Sequence, residues 1–215
     1  MTLLMIISPS KEMTEQPQTS DRRPELIELT QQISSGTELT EDSSFYRAIE
    51  LYNGLQFRYL RAGLTEEDLT FLDDSLRILS ATYGVVKPLD GIRRYRQDFT
   101  AKGLYKAWDH HIYQQLTQES RLILNLASDE FSKTVTRYSQ DHDQLVQVSF
   151  FEKDEEGLIK KHSTISKKGR GQLVNYIARN RITDFEAVRA FDDMGYRFNE
   201  EESTGLHWVF IRPRD

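Results

Sequence analysis

The chain of 215 residues contains no cysteine, which excludes disulfide bridges, thiolate metal sites and a cysteine nucleophile. Histidine is scarce as well. His110 and His111 are adjacent and cannot share one ligand face of a helix, while His142, His162 and His207 are scattered. No His/Asp/Glu spacing matches a zinc or di-iron motif, so neither a metal centre nor a cofactor is expected. No apolar run approaches the length of a membrane span. The opening stretch from Met1 to Ile7 is apolar but short, and lacks the basic region of a secretory leader. These absences predict a cytoplasmic protein without a membrane partner, and they leave its oligomeric state open.

What is present is the composition of a folded protein: 38% hydrophobic, 11% aromatic and 29% charged residues, enough to bury a real core in one domain spanning residues 1–215. The net charge of −6 argues against a chain that is basic all over. The charge is segregated, however. Arg93, Arg94, Arg96, Lys102 and Lys106 face one acid, Asp98, within residues 91–106, and Lys160, Lys161, Lys167, Lys168 and Arg170 face none within 160–170. The acids gather at Asp154-Glu155-Glu156, Asp192-Asp193 and Glu200-Glu201-Glu202.

Periodicity gives the elements. Leu3 to Ile7 reads as a buried strand, Glu12 to Arg23 as a surface loop, Arg23 to Ile33 as a helix and Ser43 to Phe57 as another. Thr65-Glu66-Glu67-Asp68 is a capping box. The helix that it opens is expected to carry Leu69, Leu72, Leu76, Leu79 and Tyr83 until Gly84 ends it. A further helix is expected from Leu104 to Leu116, with Trp108 in the core, and a strand at Leu122–Leu124. A hairpin follows, Leu145–Phe151 with Leu158–Thr164. A helix capped by Ser166 should reach Asn180, Thr183 or Asp184 should cap a short one through Val188, and two strands, Tyr196–Phe198 and Leu206–Ile211, finish the chain. This irregular mixture predicts an α/β or α+β fold rather than repeated βαβ units.

Three loops and one junction could carry chemistry. Ser8-Pro9-Ser10-Lys11 follows the first strand, but no glycine opens it as a phosphate loop; it is a solvated turn or a phosphate contact. Lys87-Pro88-Leu89-Asp90 leads into Arg93-Arg94-Tyr95-Arg96. Arginine forks and an aromatic face suit nucleic acid, unless Tyr95 packs and the arginines pair with Asp90 and Asp98. Lys167-Lys168-Gly169-Arg170-Gly171 places glycines, costly in a helix, beside cations at an expected helix start. Close approach of a phosphate is one reason for them, and packing against a neighbouring element is the other. Last, the strand Leu122–Leu124 runs into Asn125-Leu126-Ala127-Ser128-Asp129-Glu130-Phe131. Ligands collect at such strand ends in α/β proteins. Ser128, Asp129 and Glu130 are equally the residues of a helix cap.

Taken together, these blocks resemble the YaaA-type peroxide stress resistance family. The matching pieces are Ile7 to Lys11, Leu79 to Val85, Pro88-Leu89-Asp90, Tyr95-Arg96, Leu104-Tyr105 with Trp108, Asn125 to Phe131, Lys167 to Gly171 and Gly195-Tyr196. The resemblance implies a cytoplasmic bacterial protein that limits oxidative damage and restricts free iron under peroxide stress. It also implies an α/β fold with a central mixed sheet flanked by helices, a positively charged cleft and affinity for DNA. Two departures stand out. The region between the first strand and Thr65 is shorter than in longer members, where a helix-hairpin-helix element is attributed. In addition, Gln97-Asp98-Phe99 replaces a Leu-Glu-Met of many members.

Three functions are then open. A DNA-binding stress protein would use Lys11, Arg93, Arg94, Arg96, Lys167, Lys168 and Arg170 on phosphates. An enzyme acting on nucleic acid or a phosphorylated small molecule would use Asn125, Ser128, Asp129 and Glu130 as acid/base groups or metal ligands. An iron-binding protein would have only carboxylates to offer, such as Asp98, Asp129 and Glu130. The first is expected to prevail.

Overall fold

The protein is described by a computed structural model covering residues 3–33 and 44–214. Leu3 to Ile7 carries no polar side chain and forms a fully buried interior strand, β1 (Leu4–Ile7). It is followed by α1 (Ile27–Ile33), β2 (Tyr46–Arg47), α2 (Ala48–Leu51), α3 (Leu55–Arg61), α4 (Glu66–Ser75), β3 (Leu76–Ser80), β4 (Gly84–Val86) and β5 (Gly91–Ile92). The second half contributes α5 (Leu104–Trp108), α6 (His111–Glu119), β6 (Leu122–Leu126), α7 (Asp129–Thr136), β7 (Gln144–Lys153), β8 (Ile159–Lys160) and α8 (Ser163–Arg179). Two short 3-10 turns then lead to β9 (Arg197–Phe198) and β10 (His207–Pro213). The fold is mixed α/β, as expected.

The main sheet runs β4-β3-β1-β6-β7-β10-β9, with β8 beside β7. Its five central strands are parallel, and β4, β8 and β9 are antiparallel additions. Strand alternation sorts the core into two. Leu3, Met5 and Ile7 face a layer that contains residues of α2, α3, α4 and α8, while Leu4 and Ile6 face one with α5, α6 and α7. Helices cover both faces, so the parallel strands read as continuous apolar runs.

Several expectations change in extent. The Thr65 capping box is present, but its helix ends at Ser75 instead of Tyr83. Leu76 to Ser80 is buried on every side and pairs in parallel with β1, Met5 opposite Leu76. The leucine spacing fits both geometries up to Leu76, and burial on both sheet faces then decides for a strand. Gly84 is the first residue of β4 and no helix cap; at φ 71° it packs so closely that a Cβ would come 2.7 Å from the Trp108 ring. The expected helix Leu104–Leu116 breaks at Asp109 (φ 43°, ψ −128°), although Trp108, Ile112 and Leu116 all enter the core. Ser43 lies outside the described residues, and Phe45 to Phe57 divides into β2, α2 and the start of α3. The Leu145–Phe151 hairpin forms, but its return strand is only Ile159–Lys160, because Ser163 already begins α8. Ser166 is therefore no cap; it lies inside α8, whose N-cap residue is His162.

Candidate functional site

The chain leaves β1 to form β3 on one side and returns to form β6 on the other. Loops from the carboxyl ends of β1 and β6 therefore part at a topological switch point, where open parallel sheets bind ligands. A cavity of about 1010 Å³ lies there. Its wall is made by Ser8 to Glu12 after β1, Gly54 to Arg58 at the start of α3, Tyr95 to Asp98, and Thr100 and Ala101. Ser128, Glu130 and Phe131 at the start of α7 and Lys167 and Arg170 of α8 complete it.

Ser8 and Ser128 join the two strand ends. The Ser8 Oγ accepts from the Ser128 backbone N–H at 2.8 Å and lies 3.0 Å from the Ser128 Oγ. Ser128 does occupy the N-cap position of α7, yet its side chain makes no capping bond. Its hydroxyl is committed to Ser8, across 120 residues of chain. Glu130 sits in the first turn of α7, and one of its oxygens accepts the Phe99 N–H at 3.0 Å.

Asn125 plays a different part from the one its neighbourhood suggested. It is fully buried in β6 and does not line the cavity. Its amide donates to the Ser132 Oγ at 2.6 Å and the Gln147 Oε1 at 2.8 Å, and its Oδ1 accepts the Ala127 N–H at 3.0 Å. All its hydrogen-bonding capacity in reach is spent on tying β6 to α7 and β7. Asp129 is also absent from the cavity wall, though its charge acts on Arg170.

The cations divide in the same way. Lys11, Arg96, Lys167 and Arg170 line the cavity; Arg93, Arg94 and Lys168 do not. Arg94 donates to the Glu15 carbonyl at 2.8 Å and stacks over Tyr46, and Lys168 lies over the Tyr59 ring. Tyr95 packs, as one of the sequence alternatives held. Its hydroxyl sits 2.7 Å from that of Tyr52 and 2.8 Å from the Ser80 Oγ, and burial pushes its pKa up to about 12. The arginine pairing with Asp90 and Asp98 that belonged to that alternative is replaced by other partners: Arg22 holds Asp90, and Lys11 holds Asp98 at 2.6 Å. The sequence also passed over Arg58, which lines the cavity from α3 and pairs with Glu12 at 2.6 Å.

The hydrogen bond from Lys11 is the main cause that lowers the Asp98 pKa, with Thr100 assisting. An Asp with a depressed folded pKa contributes stability above its unfolded pKa, near 3.9, and loses it as pH falls through the folded value. Lys11 is 83% exposed, so the pair is worth little to the fold. The expected outcome is that acidification below about pH 4 detaches Lys11 while the fold persists; the Asp98 carboxyl carbon shift followed by NMR against circular dichroism checks this.

Arg96, Lys167 and Arg170 have no ion-pair partner within 4 Å among the described residues. Burial pulls the Arg170 pKa below its ordinary value, opposed by the charge of Asp129. The Arg170 Nε is buried without a hydrogen-bond partner, an uncommon state for so polar a group. What brings it there is α8. Gly169 lies against Phe150, where a Cβ would come 2.4 Å from the ring, and Gly171 lies against α3, where a Cβ would come 2.2 Å from the Gln56 carbonyl. Both glycines are mid-helix packing devices; the expected approach of a phosphate to a glycine-bearing helix start is set aside.

Comparison with known proteins gives matches over most of the chain. A family model described as Peroxide stress protein YaaA matches residues 28–202. A UPF0246 protein of Clostridioides difficile is 35% identical over 173 residues, covering 77% of this chain and 70% of that one. A UPF0246 protein of Limosilactobacillus reuteri is 38% identical over 171 residues, covering 76% and 68%. One from Desulfitobacterium hafniense is 37% identical over 183 residues, covering 80% and 72%.

Proposed function

Because the chain belongs to the YaaA peroxide stress protein family, we propose that it serves the peroxide stress response by binding DNA at the cavity between β1 and β6. Arg96, Lys167 and Arg170 are the phosphate contacts. The observation that carries this reading is that, among the described residues, none of the three has an ion-pair partner within 4 Å while all three line the wall of one cavity. An unpaired guanidinium gains from a phosphate, which its planar fork matches in geometry. Arg93, Arg94 and Lys168 extend the contact beyond the cavity, and Lys11 joins when Asp98 releases it.

DNA binding also suggests a route to limiting iron-dependent damage. Protein cations that neutralise phosphates release condensed counterions, ferrous iron among them, from the surface where hydroxyl radicals would do harm. The protein need not bind iron itself. Among the described residues no three His, Asp or Glu side chains cluster as metal ligands.

Titration of duplex DNA at several salt concentrations tests the reading. The three cavity contacts alone predict a slope of log K against log salt near −2.7, and contacts by Arg93, Arg94 and Lys168 would steepen it to about −5.4. Lys167→Glu, at an exposed position, is expected to flatten that slope by about one and weaken binding at low salt. Salt-independent binding, or none at low salt, would sink the proposal.

A second reading, an enzyme acting on nucleic acid or a phosphorylated small molecule, draws on Glu130 and the Ser8–Ser128 hydroxyl pair at the same wall. Glu130, rather than Asp129 or Asn125, is then the acid/base candidate. Turnover by the wild type that vanishes in Glu130→Gln while binding persists would favour it.

A further inference from the structure

The cavity has a size as well as a charge. At about 1010 Å³ it matches the upper range of pockets that enclose a small ligand, about 300–1,000 Å³. One turn of duplex, about 34 Å long, cannot enter it. A duplex that met the wall cations only with its backbone phosphates would leave this interior unused.

The wall is sorted by chemistry. Lys167 and Arg170, three residues apart on α8, bring charge to it, as does Arg96 from the β5–α5 connection. Tyr95 and Phe131, 6% and 8% exposed, contribute an apolar floor, with Phe57 packed wholly beneath it. Between them stand the Ser8 and Ser128 hydroxyls and the Glu130 oxygen that Phe99 does not occupy. Anion, flat apolar surface and a few convergent polar groups are the three needs of a nucleotide: phosphate, base face, and sugar or base edge.

We propose that the cavity receives a single nucleotide unit, its phosphate held by Arg96, Lys167 and Arg170 and its base laid on Tyr95 and Phe131. The unit has two sources. It is a nucleotide extruded from DNA, which rests on the DNA-binding reading, or a free nucleoside monophosphate, which does not. Extrusion costs unstacking, and least at a mispaired base.

Calorimetric titration of the full chain with a deoxynucleoside 5′-monophosphate and with inorganic phosphate tests the shared claim. The mononucleotide is expected to bind about 5- to 150-fold tighter, because stacking adds about 1–3 kcal/mol per base. Equal binding of the two, or binding of neither, overturns the inference. Competition between the mononucleotide and duplexes with and without one mispaired base then assigns the source. A mispair preference abolished by saturating mononucleotide identifies an extruded nucleotide; competition without that preference identifies the free one. Salt-dependent DNA binding that no mononucleotide perturbs leaves the DNA reading standing and removes this one, whereas mononucleotide binding without DNA binding does the reverse. Ala101→Trp, at an exposed position on the rim, should weaken the mononucleotide about tenfold with an unchanged melting temperature. An unaltered affinity in that variant also counts against the cavity as the seat.

Discussion

Gly171→Ala is expected to destabilise the protein by about 3 kcal/mol, although alanine is the better helix former by about 1 kcal/mol. The added methyl would stand 2.2 Å from the Gln56 carbonyl oxygen and 3.0 Å from the Tyr59 Cβ. The first neighbour is backbone and cannot rotate away. α8 must therefore withdraw from α3, against which it packs through Asn175, whose amide donates to the Leu60 carbonyl at 2.8 Å and the Ala62 carbonyl at 2.9 Å. Withdrawal carries Lys167 and Arg170 out of the cavity wall, so phosphate affinity should fall in the fraction that still folds. Denaturant unfolding with fluorescence checks the stability, and a phosphate or DNA titration at low salt checks the coupling. Gly205→Ala is the control. No atom lies within 4 Å of its new Cβ, so its effect should stay within about 0.5 kcal/mol. Equal stability of the two variants would show that the helices tolerate separation and that the glycine has another reason.

Asn125→Ala is expected to cost a similar amount, about 3 kcal/mol, by a different route. It leaves the buried Ala127 N–H without an acceptor and removes the donor to the Ser132 hydroxyl and to the Gln147 Oε1, and each buried orphan costs about 1–3 kcal/mol. For a chain of this length the melting temperature should fall by about 6–12 °C. Affinity of the folded protein for phosphate should change little, because the residue faces Ser132 and Gln147 rather than the cavity. A variant of wild-type stability that has lost binding or turnover would restore Asn125 to the chemistry. This contrast separates two residues of one short segment with opposite assignments: Asn125 holds the sheet to α7, while Ser128, three positions on, opens onto the cavity.

The junction after β6 shows how much was legible beforehand. That a strand ends there and a helix begins was readable from Leu122–Leu124 and the polar run after it, since apolar runs and cap residues act locally. That the Ser128 hydroxyl serves Ser8 and not its own helix was not readable, because the partner lies 120 residues away. The Thr65 capping box was legible for the same local reason. The helix beyond it was overextended because Leu76 and Leu79 satisfy a helical spacing as well as they fill a strand. Pairing with β1 on one side and β4 on the other settles that ambiguity.

The cationic blocks divide along the same line. Composition alone marked residues 91–106 and 160–170 as rich in unopposed charge. Whether a given cation is spent depends on contacts across the fold: Lys11 on Asp98, Arg94 on the Glu15 carbonyl, Arg58 on Glu12. Arg58 drew no notice in sequence because it sits in an ordinary amphipathic helix. Its place at the cavity follows only from the packing of α3 against α8.

By itself, then, the sequence determined the fold class, the two-sided burial of its first strand, and membership of a peroxide stress family through blocks spread over nearly the whole chain. Those are consequences of side-chain chemistry acting over a few residues, repeated along the chain. The tertiary structure decided which charges remain unspent and where they meet. It placed the glycines of α8 against Phe150 and α3, brought Arg96, Lys167 and Arg170 to the wall of one cavity, and shaped an open cavity rather than a flat basic face. A charge has a function only once its partners are known, and partners are fixed by the folding of distant segments onto one sheet.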